Sequence, residues 1–157
     1  MKYISLTKGK VAIVDDEDFD QLIQWKWHFT GYYVGRNSKV DEGHKRVILM
    51  HRQIMGEPDC WVDHRNLNRL DNRKSNLRLA TPSQSNMNKI VHKDNESGFK
   101  GVSRNFNRRG SDKKPYRARI NVNGKEKHLG TFATKEEVAK AYELAAPRFH
   151  GEFFRVK

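Results

Sequence analysis

An acidic side chain and an imidazole stand side by side in this sequence, at Asp63 and His64, directly after the short apolar run Trp61-Val62. An apolar run that ends in a polar pair is typical of a strand that delivers functional side chains at its end. Carboxylate oxygens bind hard divalent cations, and an imidazole is a base that can activate water. The pair therefore indicates metal-assisted attack by water. Mg²⁺ is the expected cation because it needs few protein ligands and keeps most of its own waters.

Three further elements follow the pair and would position it. Residues 66–74 are rich in Asn, Asp and Arg, which is typical of a turn-rich loop. Residues 76–80 alternate as a half-buried strand does. Thr81, Pro82 and Gln84 then predict a helix, with Thr81 as N-cap, Pro82 at the first helical position and Gln84 completing a capping box. The predicted order is strand, loop, strand and helix.

The pair D-H, followed thirteen residues after the Asp by N-L-R-L-A-T, resembles the HNH (ββα-metal) endonuclease motif, particularly that of phage-type homing endonucleases. The strings I-S-L-T-K-G-K-V-A-I-V-D-D-E-D and M-H-R ahead of the pair extend the resemblance over residues 1–90. The resemblance implies that His64 is the general base and that Asp63 is a metal ligand. It also implies that Asn76 ties the loop to the strands and helps to orient the base. For His51, in M-H-R, we prefer a hydrogen-bonded position under the active site over a metal role.

The second metal ligand departs from the pattern of the family. The resemblance implies an Asn four residues after the capping Thr81, and that position is Ser85, with Asn86 next to it. Neighbours on a helix point about 100° apart, so Asn86 can serve only if the first turn rotates or tightens. The Ser85 hydroxyl would bind a cation directly or through water, more weakly. We prefer Asn86 and keep Ser85 as the alternative, with Mg²⁺ as the cation and Mn²⁺ as a possible substitute.

The charge of the 157-residue chain indicates a polyanionic partner. Its 31 Lys and Arg residues outnumber 19 Asp and Glu residues, which gives a net charge of +12 and a pI near 9.9. Nucleic acid is the commonest partner of such a chain. We expect phosphate contacts from the loop arginines Arg65, Arg69 and Arg73. No apolar run is long enough for a membrane span and no secretory segment is evident, so a cytoplasmic protein without membrane contact is expected. The single cysteine excludes an internal disulfide and argues against a Cys-based zinc site.

The C-terminal part of the chain is the more basic one. Residues 1–90 hold 15 basic and 11 acidic side chains, and residues 91–157 hold 16 and 8. Residues 116–122 alternate between apolar and polar, and Asn123-Gly124 predicts a two-residue hairpin turn into a strand over 125–132. Together with a strand near 99–106 and a helix that begins with the capping box of Thr134 and Glu137, they predict three antiparallel strands packed on one helix.

The strings S-G-F-K-G-V, R-A-R-I-N-V-N-G-K, H-L-G-T-F-A-T-K-E-E-V-A-K-A-Y and F-H-G-E-F-F-R resemble the DNA-binding domain of plant ethylene-response factors, which also accompanies many phage HNH nucleases. The resemblance covers residues 97–157. It implies that the sheet lies in the major groove and that arginines make many of the contacts. The implied DNA-binding residues are Lys100, Arg104, Arg117, Arg119 and Lys127.

We therefore expect an α+β protein with an HNH nuclease domain over 1–90, a linker over 91–97 and a DNA-binding domain over 98–157. The expected function is Mg²⁺-dependent cleavage of double-stranded DNA, in the manner of a homing endonuclease. A monomer with one active site should nick, and a homodimer could cut both strands. The alternatives are a DNA-binding regulator that has lost catalysis and, more weakly, an RNA-binding protein.

Overall fold

The computed structural model describes residues 1–39, 45–91, 94–95, 97–104, 115–122 and 124–155. The chain divides into two compact units, Met1–Thr81 and Pro82–Lys157. This division precedes the predicted linker at 91–97. Among the described helices, none is long and apolar enough to cross a membrane.

The N-terminal unit combines two antiparallel hairpins with a three-stranded antiparallel sheet. The hairpins pair β1 with β2 and β6 with β7, and the sheet has the order β3-β4-β5. The elements are β1 (Lys2–Ser5), β2 (Val11–Val14), α1 (Asp16–Leu22), β3 (His28–Phe29), β4 (Val34–Lys39), β5 (Lys45–Leu49), α2 (Met50–Ile54), β6 (Trp61–His64) and β7 (Leu77–Ala80).

A small apolar core joins the first hairpin, α1 and the three-stranded sheet. Its buried members are Ile4, Ala12, Val14, Leu22, Trp27, Val34 and Met50. Burial of Trp27 explains why α1 ends at Leu22. The indole Nε1 of Trp27 donates to the carbonyl of Leu22 at 2.8 Å, so the chain must leave the helix to fold the ring back.

The concentration of aromatic residues between Trp25 and Tyr33 had suggested core packing, but not all of them pack in this core. Trp25 and Tyr32 remain exposed, Tyr32 at 69%. Each lies against an arginine: the guanidinium of Arg36 is 3.9 Å from the Trp25 ring centre, and that of Arg69 is 5.0 Å from the Tyr32 ring centre. These two aromatic side chains therefore form part of the surface.

The C-terminal unit contains a three-stranded antiparallel sheet and two helices. Its elements are α3 (Pro82–Asn88), β8 (Val102–Arg104), β9 (Tyr116–Val122), β10 (Lys125–Phe132) and α4 (Lys135–His150), with the sheet order β10-β9-β8. Buried Ala118, Ile120, Val138 and Ala146 fill the space between the sheet and α4. Pairing of Val122 with Lys125 agrees with the predicted two-residue turn. Asn123 of that turn lies outside the described residues, as do residues 105–114 between β8 and β9.

The start of α4 and the end of α3 are each fixed by identifiable hydrogen bonds. The capping box of Thr134 and Glu137 begins α4 as predicted, whereas Pro147 does not end it, since the helix runs on to His150. The end of α3 is bound within the C-terminal unit. Lys100 Nζ donates to the Met87 carbonyl at 3.0 Å, and Arg155 Nε donates to Asn88 Oδ1 at 3.3 Å.

Candidate active site

The β6–β7 hairpin carries the acidic residue and the histidine at the end that leads into its loop. Asp63 is paired with Arg78 and His64 with Leu77, and the loop between the strands spans residues 65–76. Neighbouring residues of a strand point to opposite faces, so the two side chains enter different surroundings. Both are buried, which is unusual for ionisable groups and indicates that each environment has a specific partner.

The partner of Asp63 is Arg78, a residue that the sequence analysis did not single out. Arg78 Nε and Nη2 donate to the same carboxylate oxygen, Oδ2, at 3.0 and 2.9 Å. The side chains of Arg78 and Asp63 are only 5% and 8% exposed. The sequence could have predicted this ion pair, because Asp63 and Arg78 flank the predicted loop on two strands that face each other.

His64 is kept neutral by its burial. Its ring is 5.1 Å from the ring of His51, in an edge-on arrangement, and 6.1 Å from the ring of Tyr33. Loss of water around the ring lowers the pKa of His64, and the hydrogen bond to Asn72 Oδ1 and the charge of Asp63 only partly oppose that change. A neutral imidazole has a lone pair, which is the form that a general base requires.

His51 lies under this site but is not hydrogen-bonded through its side chain as we predicted. Its Nδ1 atom is buried and has no partner among the described residues. Burial, followed by the proximity of His64 and Arg52, lowers the pKa of His51 to about 3. The site thus contains two imidazoles with ring centres 5.1 Å apart, and burial lowers the pKa of each.

The loop between β6 and β7 is held by its own Asn and Asp side chains. Asn76 Nδ2 donates to the Asp71 carbonyl at 2.7 Å, and Asn76 Oδ1 accepts from the main-chain N–H of Asn66 at 3.0 Å. Both side-chain bonds of Asn76 are therefore to residues of the loop, whereas the resemblance implied that Asn76 ties the loop to the strands. Within the described part of the chain it makes no hydrogen bond to His64, so any influence on the base acts through the loop.

A second asparagine of the loop, Asn72, was missed by the sequence analysis. It is completely buried, and its Oδ1 atom lies 3.4 Å from His64 Nε2. Its main-chain N–H donates to the carbonyl of Ile13 in β2 at 2.8 Å. No local pattern predicts this contact, because it depends on a hairpin about 60 residues earlier in the chain.

The three loop arginines differ in what they contact. Arg73 is committed to Asp71, to which its Nε and Nη2 donate at 2.8 and 2.7 Å. Arg69 has no ion pair within the described ranges, and its guanidinium lies over the rings of Tyr32 and Tyr33 at 5.0 and 5.1 Å. Arg65 has an exposed side chain, and its main-chain N–H donates to the Asn76 carbonyl.

The two candidates for the second metal ligand lie on α3, in the C-terminal unit. Ser85 is half-buried, whereas Asn86 is exposed. Asn86 also lines a cavity of about 770 Å³ of that unit, together with Ser83, Met87, Lys100 and Tyr142. Ser83, Asn86 and Met87 share a helix face, from which Ser85 points away.

The available donors fit a hard cation. Asp63 supplies a carboxylate, Ser85 a hydroxyl and Asn86 an amide oxygen, and Mg²⁺ prefers such oxygen ligands. Where the structure describes the chain, no group of three or more His, Cys, Asp or Glu side chains is arranged to hold a metal.

The C-terminal sheet separates the predicted DNA contacts into different surfaces. Directly paired residues of antiparallel strands share a face. Arg117 pairs with Ser103 and Thr131, and Arg119 pairs with His128, on the face away from α4. We call this surface the open sheet face. Arg119 there makes an ion pair of 2.9 Å with Glu126.

Three of the predicted DNA contacts lie elsewhere. Lys127 pairs with the buried Ile120, and its Nζ is 4.7 Å from the ring centre of Phe149 in α4. Arg104 pairs with Tyr116 and so is also on the α4 side. The ammonium of Lys100 donates to two main-chain carbonyls within its unit, those of Met87 and Arg155. The open sheet face therefore contains only Arg117 and Arg119 of the five.

Comparison with known proteins identifies the family. Residues 48–87 match the HNH endonuclease family, a span that includes β6, the loop, β7 and most of α3. The uncharacterized HNH endonuclease L560 of Acanthamoeba polyphaga mimivirus is 30% identical over 148 residues, which cover 93% of this chain and 74% of the relative. Protein 3.8 of Escherichia phage T7 is 30% identical over 97 residues, or 62% of this chain and 75% of the relative. No solved structure matches the chain significantly. The match to the mimivirus protein spans both units, and we conclude that the chain belongs to the HNH endonuclease family.

Proposed function

We propose that this protein is a divalent-cation-dependent endonuclease of the homing type that hydrolyses double-stranded DNA at a recognised site. The observation that supports this most strongly is His64, a buried and neutral imidazole next to the carboxylate of Asp63. Burial favours the uncharged form of His64, and that form keeps the lone pair that a general base needs at neutral pH.

In the proposed reaction, His64 takes a proton from a water molecule while the water oxygen attacks the scissile phosphorus in line. The bond from phosphorus to the 3′ oxygen breaks as the new bond forms, and the 3′ oxygen leaves. Asp63, together with Ser85 or Asn86, would hold Mg²⁺, or Mn²⁺ as a substitute, and the cation would offset negative charge on the phosphate and on the departing oxygen. A positioned base of this kind contributes about 10²–10⁴-fold to the rate.

Arg69 is our first choice for contact with the cleaved phosphate. Its charge is not offset by a carboxylate in the described residues, and that charge is one of the factors acting on the pKa of His64. Stacking on Tyr32 and Tyr33 holds the guanidinium in place without neutralising it. Arg65 is a second candidate. Arg73 is a weaker candidate, because its guanidinium already forms an ion pair with Asp71.

We further propose that the C-terminal unit binds double-stranded DNA in the manner of the ethylene-response-factor domain that it resembles. Arg117 and Arg119 on the open sheet face would enter the major groove, where arginine contacts guanine edges or phosphates. Arg104, Lys100 and Lys127 would contribute general positive charge rather than base contacts. A monomer would nick, and a homodimer would be required for a double-strand cut in one engagement.

A supercoiled plasmid that contains the locus encoding this protein tests the activity. Incubation with Mg²⁺ should convert it to open circles, or to linear DNA if two copies act together, and a chelator should prevent either product. His64→Ala should abolish conversion, while His28→Ala, in β3 and outside the proposed site, should retain it. Cleavage that is equal with metal and with chelator would refute the metal-dependent reaction.

A DNA-binding regulator without catalysis is the second candidate, and Ser85 is the observation in its favour. A serine stands where the family pattern places an Asn ligand, so the cation would be bound less tightly. Such a protein would shift DNA in a gel in a salt-sensitive way. If the plasmid stays supercoiled with Mg²⁺, with Mn²⁺ and with the Ser85→Asn variant, the regulator replaces the nuclease as our proposal.

A further inference from the structure

The side chain of Asn72 occupies a fixed position against the imidazole of His64. It is completely buried in the loop between β6 and β7. Its amide Nδ2 donates to the Leu70 carbonyl at 3.2 Å, and its Oδ1 lies 3.4 Å from His64 Nε2. The amide is thereby oriented with its nitrogen towards the main chain and its oxygen towards the ring.

The first hairpin holds the loop in this arrangement. The N–H of Ile13 in β2 donates to the Leu70 carbonyl, and the carbonyl of Ile13 accepts from the N–H of Asn72, each at 2.8 Å. These two hydrogen bonds form an isolated parallel β-bridge between Ile13 and Asp71. The position of Asn72 therefore depends on β2 as well as on the loop itself, which leaves its side chain little freedom.

The orientation of Asn72 determines which ring nitrogen of His64 carries the proton. An amide oxygen can only accept a hydrogen bond, so Nε2 must be the donor. A neutral imidazole has a single N–H group, and its lone pair is then on Nδ1. Reversing the tautomer would set the lone pair of Nε2 against the oxygen of a buried amide, which is unfavourable where both groups are shielded from bulk solvent.

We propose that Asn72 is a positioning residue that holds His64 as the Nε2–H tautomer, so that Nδ1 is the atom that takes the proton from the attacking water. The inference rests on the proposed role of His64. As the water oxygen bonds to phosphorus, its proton passes to Nδ1 and the ring becomes an imidazolium. The proton on Nε2 stays in place and its hydrogen bond to Asn72 strengthens, because the donor is then charged.

Imidazole ¹⁵N shifts measured on the full-length protein test the tautomer directly. Long-range ¹H–¹⁵N correlations distinguish the protonated nitrogen of each neutral ring, and loss of one pattern in His64→Gln assigns His64 among the seven histidines. We expect the Nε2–H pattern in the wild type. An Nδ1–H pattern would overturn the inference. This measurement needs no cleavage activity, so it gives a result even if the nuclease proposal fails.

Two substitutions separate the effect on His64 from the effect on the loop. Asn72→Asp removes the donor to Leu70 but keeps an acceptor for Nε2, whereas Asn72→Leu removes both. We expect Asn72→Leu to lower kcat by about 10–100-fold with little change in KM, as loss of an orienting partner does. Asn72→Asp should keep the proton on Nε2, and it should retain more of kcat than Asn72→Leu once the pH is high enough to keep His64 neutral, because the new carboxylate favours the charged ring.

Equal losses in the two variants would show that Asn72 acts only on the loop, and would overturn the proposal. Folding is checked by tryptophan fluorescence, since Trp25, Trp27 and Trp61 all lie in the N-terminal unit. If one variant fails to fold, the tautomer of the wild type still decides. A wild type that cleaves DNA but shows the Nδ1–H pattern would refute the role of Asn72 and leave the nuclease proposal intact.

Discussion

Removal of Arg78 should destabilise the N-terminal unit severely, because Arg78 is the guanidinium partner of a buried carboxylate. Asp63 is 8% exposed, and both bonds from Arg78 end on its Oδ2. Loss of one member of a buried ion pair costs about 3–5 kcal/mol. At roughly 0.05–0.15 kcal/mol per residue, the whole stability of a unit of this size is about 4–12 kcal/mol. Arg78→Ala should therefore remove about a quarter of it or more.

The exposed pair of Arg119 and Glu126 offers a matched control. Its nitrogen–oxygen distance of 2.9 Å equals that between Arg78 and Asp63, but its side chains are 41% and 54% exposed. Arg119→Ala should cost less than about 1 kcal/mol, since water screens the pair. Replacing both Asp63 and Arg78 by leucine should recover most of the stability lost in Arg78→Ala, because no charge is then left buried.

Urea unfolding followed by tryptophan fluorescence measures the effect in the N-terminal unit, which contains all three tryptophans. Far-ultraviolet circular dichroism measures the control, which lies in the other unit. A loss of less than about 1 kcal/mol for Arg78→Ala, similar to that for Arg119→Ala, would refute the reasoning that burial makes this pair indispensable.

Three further results are expected. The pKa of His51 is lowered to about 3 in the folded protein, so the unfolded chain binds more protons below the ordinary histidine value. The free energy of unfolding should therefore fall as the pH drops from about 6.5 towards 3, and it should fall less steeply in His51→Phe. Equal pH dependence of the unfolding free energy in the wild type and in His51→Phe would contradict this. Arg69→Ala should slow cleavage of a saturating DNA substrate more than Arg73→Ala does, because only Arg73 is neutralised by Asp71, whereas equal effects would remove Arg69 from the site. Arg117→Ala should weaken DNA binding in a gel shift and, if the contact is to phosphate, reduce the salt dependence by about one unit. Lys127→Ala, on the α4 side of the sheet, should have a smaller effect on both quantities.

Regular elements were predictable because their patterns are local. The alternation in residues 116–122 predicted β9, and the capping box of Thr134 and Glu137 predicted the start of α4. The polar pair after Trp61-Val62 predicted a strand that ends at His64, and β6 ends there. In each case the side chains that decide the structure lie within a few residues of one another.

Contacts between distant parts of the chain were not predictable in this way. Asn72 is one of many polar residues in its loop, and its burial results from hydrogen bonds to Ile13 in the first hairpin. Lys127 is different, because its position followed from the sequence. A two-residue turn pairs Val122 with Lys125 and therefore Lys127 with Ile120, on the helix side of the sheet. The resemblance to ethylene-response factors implied that Lys127 contacts DNA, and the register adds that Lys127 lies on the α4 side of the sheet.

The most direct test of the account is the rate of DNA cleavage by His64→Ala in a single turnover, with DNA affinity measured in parallel. The rate with Mg²⁺ should fall by about 10²-fold or more while the Kd for DNA stays unchanged, because the proposed loss is that of a general base and not of a binding group. Cleavage by His64→Ala at the rate of the wild type would contradict the assignment of His64 as the base.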